Sequence, residues 1–433
     1  MSQNITINPK GGLTGTIDIP GDKSISHRSV MFASIASTPV IIKNFLYAED
    51  CLSTVRCMQS LGANIEKDEQ GNLHALGRGL WGLKEPENIL DAANSGTTLR
   101  LLSGILIGQP FFSVLTGDPS LRNRPMGRIV VPLTRMGGKI NGRQDANYVP
   151  ISISKSEKGK INGIEYTMPM ASAQVKSAIL LATLFASSSS IISEPYTSRD
   201  HTELMLETFG VTVEREGTSI RVSPVNELHA PKEICVPGDI SSAAFWLVGA
   251  TVIPNSRLLL KNVGINPTRT GIIDILKEMG ADISIENQRL SGAEPVADLI
   301  VQSSELKGIA IDGAIIPRLI DEIPIIAVAA LFAKGKTIIR GAEELRVKET
   351  DRLMAVANEL GKMGAAITQT SDGLIVSGPQ KLAFAHCHSY HDHRMAMALA
   401  IAGAASQGVS IDHPDCTNIS YPNFFTTLDT IRK

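Results

Sequence analysis

Met279-Gly280-Ala281-Asp282-Ile283 ends an amphipathic stretch on a bulky apolar residue, breaks it with glycine, and resumes with a β-branched side chain. The glycine suits the left-handed position just past a helix C-terminus. The isoleucine suits the start of a strand. The same pattern stands at Leu61-Gly62-Ala63-Asn64-Ile65, Met136-Gly137-Gly138-Lys139-Ile140, Phe209-Gly210-Val211-Thr212-Val213 and Met363-Gly364-Ala365-Ala366-Ile367. Turn signals follow the copies, as at Gln70-Gly71-Asn72, Glu216-Gly217-Thr218 and Ser371-Asp372-Gly373. Each unit therefore reads helix, strand, turn, strand.

A second pattern alternates with the first: a polar or glycine-bearing loop, then an alanine-rich helix. Its copies begin near Gly21, Asn94, Ser172, Gly238, Asp321 and His391. The first is Gly21-Asp22-Lys23-Ser24-Ile25-Ser26-His27-Arg28, in which Asp22 and Ser24 are both good N-caps. These helices are apolar nearly all round, so they are expected to be fully buried.

Both patterns step by roughly 70 to 85 residues, the mark of a repeated supersecondary unit. The chain holds about six units, and the sixth lacks its closing glycine and strands. The strand-like Ile5-Thr6-Ile7-Asn8 has no helix before it, so the first residues are expected to complete the last unit. Six units predict an α/β protein of two three-unit domains. One comprises 1–20 with 237–433 and contains both termini; the other is 21–236. The crossings near Pro20-Gly21 and Val236-Gly238 lack linker composition, so short, stiff connections that can act as a hinge are expected there.

The 433 residues exceed one ordinary core. A net charge of -2 argues against a general nucleic-acid or anionic-membrane binder, so any basic cluster must be local. Five cysteines without a CxxC pair read as reduced thiols of a cytoplasmic protein. The N-terminus lacks the features of a signal or transit peptide, and no transmembrane span is expected.

Cations cluster at the helix starts: Lys23, Arg28, Arg124, Arg199, Lys348, Arg352 and Arg394, with Arg100 and Lys176 lying within their helices. A helix N-terminus is a positive pole, so cations there are unfavourable unless an anion joins them. Six such loops aimed at one interdomain cleft would suit a ligand with several negative groups. Asp321, Glu322, Glu349 and Asp392 are the acids in these loops. A carboxylate among cations stays ionised and can act as a base. Other motifs fail. Gly335-Lys336-Thr337 lacks the earlier glycine of a P-loop, and there is no Gly-x-Ser-x-Gly elbow. His386-Cys387-His388 through His393 resembles a metal site but has no second ligand cluster, so no metal is assigned.

At these residues the chain resembles the 5-enolpyruvylshikimate-3-phosphate (EPSP) synthase family from end to end. The segments that carry the resemblance are Gly21 through Arg28, Asn94-Ser95-Gly96-Thr97-Thr98, Arg124-Pro125-Met126-Gly127, Ser172-Ala173-Gln174, Asp321-Glu322-Ile323-Pro324, Arg346 through Arg352, and Asp392-His393-Arg394. The resemblance implies a two-domain inside-out α/β barrel of six βαβαββ-type units. It implies transfer of the enolpyruvyl group of phosphoenolpyruvate to the 5-hydroxyl of shikimate 3-phosphate, in the shikimate pathway to chorismate and the aromatic amino acids. Phosphate leaves through a tetrahedral intermediate, with no metal or organic cofactor.

By motif, shikimate 3-phosphate would meet Lys23, Ser24, Arg28, Ser172, Ala173, Gln174, Arg199, Asp321 and Lys348. Phosphoenolpyruvate would meet Lys23, Asn94, Gly96, Arg124, Gln174, Arg352 and Arg394. Lys23, Asp321 and Glu349 are the implied catalytic residues: Asp321 as base for the 5-hydroxyl, Lys23 and Glu349 as proton carriers. Asn266-Pro267-Thr268-Arg269, Arg199-Asp200-His201-Thr202-Glu203 and Ser172 through Lys176 resemble signatures of the class II bacterial branch. Many class I members carry a lysine where Ile419 stands after Cys416-Thr417. The resemblance implies a monomer that binds glyphosate in the phosphoenolpyruvate site, neither nucleic acid nor membrane being a partner. Two related activities share the architecture. A UDP-N-acetylglucosamine enolpyruvyl transferase usually has a reactive cysteine in the loop that here runs Thr116 to Arg124 without one. An RNA 3′-phosphate-processing enzyme is the other.

Overall fold

The computed structural model describes residues 4–157 and 160–432. The chain divides into two compact units. The first comprises Met1–Pro20, Gly238–Arg289 and Pro295–Lys433; the second comprises Gly21–Pro237 and Leu290–Glu294.

Three buried helices run through the second unit: α1 (Lys23–Ile35), α2 (Gly96–Leu106) and α3 (Ala173–Thr183). Three run through the first: α4 (Ile240–Val252), α5 (Ile323–Phe332) and α6 (His393–Ala404). Polar side chains at five of these starts accept a backbone N–H of the first turn: Asp22, Ser95, Ser172, Asp239 and Asp392. The start of α5 instead has Pro324 in its first turn, where a missing N–H costs nothing. Among the described residues, no helix is long and apolar enough to cross a membrane.

The strands form six sheets, three in each unit. In five sheets a parallel pair is extended by an antiparallel hairpin. Leu90–Asp91 runs parallel to Ser113–Thr116, which pairs antiparallel with Tyr148–Ile153, itself paired with Ile140–Arg143. Together with α2 and the helix Gly127–Arg135 this is one complete βαβαββ unit. Burial alternates along Leu73–Leu76, as in a strand with one face to solvent and one to the core, whereas Val409–Ile411 is buried throughout. In the sixth sheet, Ile5–Ile7 pairs antiparallel with Val409–Ile411. The first residues thus close the last repeat, in a three-stranded sheet.

All five helix-ending glycines have positive φ: Gly62 at 88°, Gly137 at 101°, Gly210 at 83°, Gly280 at 106° and Gly364 at 91°. A strand begins within three residues of each, at Asn64, Ile140, Val213, Asp282 and Ile367.

The crossings exchange strands. Thr14–Asp18 precedes α1 in the chain, yet it pairs with Arg257–Gly264, the strand after α4. Glu233–Cys235 precedes α4, yet it pairs with Pro39–Lys43, the strand after α1. Both crossings read Pro-Gly-Asp, at 20–22 and 237–239. The N–H of Asp22 donates to the carbonyl of Pro237 at 2.7 Å, and that of Asp239 to the carbonyl of Pro20 at 2.9 Å.

Close helix packing depends on Gly104, where a Cβ would fall 2.2 Å from the carbonyl oxygen of Ala178 on α3. Gly104→Ala must force α2 and α3 apart and is expected to destabilise the protein by roughly 1–3 kcal/mol. At Gly210 a Cβ meets nothing within 4 Å, so Gly210→Ala should carry only the left-handed backbone term, about 1–2 kcal/mol. Urea denaturation of both variants tests the distinction; equal losses together with an unchanged Gly104→Ala crystal structure would refute it.

Candidate active site

An apolar-sided helix can offer polar chemistry only near its ends, and candidate residues sit at the starts of α1, α2, α3, α5 and α6; Arg124, Arg199, Lys348, Glu349 and Arg352 lie at the starts of, or in the loops before, the helices Gly127–Arg135, His201–Thr208 and Arg352–Lys362. In the second unit, Lys23 opens α1 and donates to Asp50 Oδ2 at 3.1 Å. Arg28, one turn on, is buried. Its Nε donates to Thr202 Oγ1 at 2.7 Å, its Nη2 to Ser177 Oγ at 2.8 Å and its Nη1 to the Ser24 carbonyl at 2.8 Å. Burial pulls the Arg28 guanidinium down to about 10; nearby Glu203 and Asp22 oppose this, and Arg199 adds to it. Arg28 therefore stays charged at neutral pH while its three hydrogen bonds go to neutral oxygens.

Gln174, on α3, joins two helix starts. Its Oε1 accepts from Arg100 Nη1 at 2.7 Å and its Nε2 donates to Thr97 Oγ1 at 3.2 Å. Arg124 Nη2 donates to Asn94 Oδ1 at 3.1 Å, and Asn94 Nδ2 donates to Asp118 Oδ2 at 2.7 Å. A Cβ on Gly96 would lie 2.7 Å from Arg100 Nη1 and 3.8 Å from Arg124 Nη1. Asn94, Gly96, Arg124, Gln174 and Arg100 thus form one group. Ser172 caps α3, and the Ala173 carbonyl accepts from Ser177 Oγ at 2.6 Å. Arg199 is half-buried in the segment before the helix His201–Thr208.

Lys176 sets that segment. It is fully buried on α3, with Nζ 2.5 Å from Glu194 Oε1, 2.8 Å from Glu203 Oε1 and 3.2 Å from the Ser198 carbonyl. The two carboxylates hold its ammonium above the usual lysine value despite burial. Burial in turn pushes the Glu203 carboxyl up.

The first unit gathers charge differently. Buried Arg352, first residue of the helix Arg352–Lys362, meets three carboxylates. Its Nε donates to Asp392 Oδ2 at 2.7 Å, its Nη1 to Asp321 Oδ1 at 3.2 Å and its Nη2 to Glu349 Oε2 at 2.6 Å. Those charges raise its pKa despite burial. Arg394, on α6, donates from Nη1 to the Asp321 carbonyl at 3.2 Å and lies 3.8 Å from Glu322 Oε1. Asp321, Glu349, Arg352 and Arg394 are therefore brought together. Lys348 instead pairs with Glu344 at 3.0 Å, and half-buried Ile419 ends the turn Pro414–Ile419.

Asp50 and Ser177 of these networks went unread in the sequence. Thr202 stood only within the Arg199 to Glu203 signature, with no sign that its hydroxyl accepts from Arg28. Among the described residues, no group of three or more His, Cys, Asp or Glu side chains is arranged to hold a metal ion.

A buried polar chain supports the second unit's site from behind. His27 Nδ1 and Thr54 Oγ1 lie 2.6 Å apart, Thr54 and Thr98 hydroxyls 2.6 Å apart, and Thr98 donates to Ser95 at 2.8 Å. His27 is fully buried, and desolvation, with Lys23 and Arg28 nearby, holds its pKa well below 6.5. The imidazole is neutral in the fold, whereas the unfolded chain takes up a proton as pH falls through about 6.5. Its contribution to stability is thus complete above that pH and is lost progressively below it. Urea titrations between pH 7 and 5 should show a stability slope smaller by up to about 1.4 kcal/mol per pH unit in His27→Asn than in wild type. Equal slopes would show that His27 does not stay neutral.

The profile of the EPSP synthase (3-phosphoshikimate 1-carboxyvinyltransferase) family matches residues 7–428. A 3-phosphoshikimate 1-carboxyvinyltransferase from Desulforudis audaxviator (strain MP104C) is 53% identical over 429 residues, 99% of each chain. Its counterpart from Thermoanaerobacter sp. (strain X514) is 52% identical over 99% of this chain and 100% of its own. The 2.37 Å structure of EPSP synthase from Acinetobacter baumannii superposes with a TM-score of 0.90 at 43% identity, covering 99% of this chain and 98% of that one.

Proposed function

We propose, because the chain belongs to the EPSP synthase family, that it transfers the enolpyruvyl group of phosphoenolpyruvate to the 5-hydroxyl of shikimate 3-phosphate and releases phosphate. The observation that carries the residue assignment is the grouping of Asp321, Glu349, Arg352 and Arg394 around one pair of guanidinium groups.

In this reading, both loop sets meet the substrates. Lys23 touches both. Arg28, Ser24, Ser172, Ala173, Gln174, Arg199, Asp321 and Lys348 hold shikimate 3-phosphate; Asn94, Gly96, Arg124, Gln174, Arg352 and Arg394 hold phosphoenolpyruvate. Asp321 takes the proton of the 5-hydroxyl as that oxygen attacks the enolpyruvyl carbon. Lys23 and Glu349 carry the proton to the methylene carbon and remove it again when phosphate leaves. The Arg352 contacts suggest how these steps are linked. Nη1 and Nη2 of Arg352 are held by Asp321 and Glu349, while its Nε is fixed by buried Asp392. An arriving substrate carboxylate competes for Nη1 and Nη2. By displacing Asp321 and Glu349 it turns both toward the reacting atoms without moving Arg352.

The free thiols of all five cysteines support a cytoplasmic setting. The missing cysteine between Thr116 and Arg124 disfavours UDP-N-acetylglucosamine as acceptor.

Phosphate release from phosphoenolpyruvate should occur with shikimate 3-phosphate and not with UDP-N-acetylglucosamine; the reverse result would overturn the reading. Asp321→Asn and Glu349→Gln should each lower turnover by at least about 100-fold, the usual share of a positioned acid or base. Near-normal turnover in either would remove that residue from the proton path. Lys23→Ala should abolish turnover while its thermal midpoint stays close to wild type. Glyphosate should inhibit competitively against phosphoenolpyruvate, and a non-competitive pattern would place it elsewhere.

A further inference from the structure

Asn266-Pro267-Thr268-Arg269 touches neither substrate in the reading above, yet two of its four residues are buried polar groups. Asn266 and Arg269 are each 2% exposed. Asn266 Oδ1 accepts from the Thr268 N–H at 2.9 Å and from its hydroxyl at 2.8 Å, which fixes the turn. The turn presents Arg269 to the start of α4. Its Nη2 donates to Ser241 Oγ at 2.7 Å and to Asp239 Oδ1, the α4 cap, at 3.1 Å.

The order of donors then determines the next link. A guanidinium can only donate, so it occupies an acceptor site of the Ser241 hydroxyl and leaves that proton for another partner. The partner is Glu322 Oε1, to which Ser241 donates a hydrogen bond. Glu322 is 1% exposed, and the same Oε1 lies 3.8 Å from Arg394 Nη1. Ser241 lies at the start of α4, Glu322 at the start of α5 and Arg394 at the start of α6. Hydrogen bonds therefore run in one direction from Arg269 through Ser241 to Glu322, and Glu322 meets Arg394 as an ion pair at 3.8 Å.

We propose that Arg269 is a positioning residue for the phosphoenolpyruvate site: through Ser241 and Glu322 it sets the orientation of the Arg394 guanidinium. Arg269 touches no substrate. It fixes the hydroxyl that fixes the carboxylate against which Arg394 rests. Asp321 supports the same guanidinium from its carbonyl, 3.2 Å from Nη1, and from its carboxylate, 3.8 Å from Nη2, so losing the chain tilts Arg394 instead of releasing it. The proposal rests on Arg394 binding phosphoenolpyruvate as assigned above.

Ser241→Ala deletes one hydroxyl and is the cleanest break. With wild-type turnover on both substrates established first, Ser241→Ala and Arg269→Gln should each raise KM for phosphoenolpyruvate roughly 10- to 150-fold, the scale of a lost hydrogen bond to a charged group. KM for shikimate 3-phosphate should stay within about twofold of wild type, a ratio worth less than half of one hydrogen bond to a charged group. The double variant should be no worse than the poorer single, because both cut one chain. Glu322→Gln, whose amide oxygen still accepts from Ser241, should retain most of the affinity that Glu322→Ala loses. A purely structural role would lower the thermal midpoint and move both KM values together or neither. The Arg394 Nε–Hε resonance, assigned by its loss in Arg394→Lys, supplies a readout without substrates and should shift in Ser241→Ala. An unmoved resonance with an unchanged KM for phosphoenolpyruvate overturns the proposal. Wild-type protein that releases no phosphate overturns the assigned reaction, and the resonance still decides whether the chain orients Arg394.

Discussion

Burial of a helix on every side is the constraint from which the rest follows. α5, Ile323–Phe332, is apolar throughout, and α6 is buried along its whole length. A helix in that position has no solvated face to carry charge, so its polar residues concentrate at the N-terminal turn and the loop before it. The backbone there already presents unpaired N–H groups and the positive end of the macrodipole. Side-chain caps satisfy some of those groups. The arginines beside them add like charge to a positive pole, which is tolerable only where acceptors surround each guanidinium.

The two units supply those acceptors in opposite ways. In the second unit Arg28 is bound by two hydroxyls and a carbonyl, and Arg100 and Arg124 donate to amide oxygens. Neutral acceptors satisfy the geometry of these arginines, while the carboxylates of this unit act on Arg28 from beyond its hydrogen bonds, as Glu203 and Asp22 do, or pair with Lys23, as Asp50 does. In the first unit Arg352 faces Asp321, Glu349 and Asp392, and Arg394 faces Glu322 and Asp321. There the charge is balanced by groups of which some can be displaced and some cannot. Asp392 and Glu322 are buried, whereas the side chains of Asp321 and Glu349 are 14% and 19% exposed. The deeper carboxylates hold position; the shallower pair is free to exchange partners and is the pair assigned to proton transfer.

Much of the fold was legible because its signals are local. A glycine that ends a helix needs positive φ whatever surrounds it, and all five such glycines adopt it. The alanine-rich helix starts were equally readable, since capping chemistry depends on four consecutive residues. Strand exchange at the crossings was not legible, because the pairing of Thr14–Asp18 with Arg257–Gly264 spans more than two hundred residues. Nothing in the repeat indicated that Leu290–Glu294 belongs with the second unit, where Glu294 meets His201 at 2.7 Å. The same division holds at the site. Arg352 and Arg394 announced themselves as cations at helix starts. Ser241, Ser177 and Thr202 are ordinary hydroxyl residues whose importance lies in which distant arginine they accept from.

Those hydroxyls and the buried ions behind them bear on why the networks persist. Desolvating an ion pair often costs as much as the attraction returns, and a well-packed apolar replacement is frequently no less stable. Lys176, fully buried between Glu194 and Glu203, is therefore poor evidence of a need for stability. Its geometry points to placement. Nζ also holds the Ser198 carbonyl, and Glu194 accepts the Ser198 N–H, so both backbone groups of the residue before Arg199 are tied down. An apolar substitute could fill the volume and hold neither group. The turn would then be free to carry Arg199 away from Arg28, and two like charges left to themselves separate. Directed hydrogen bonds between ions keep these two cations near each other, which no arrangement of methyl groups can do.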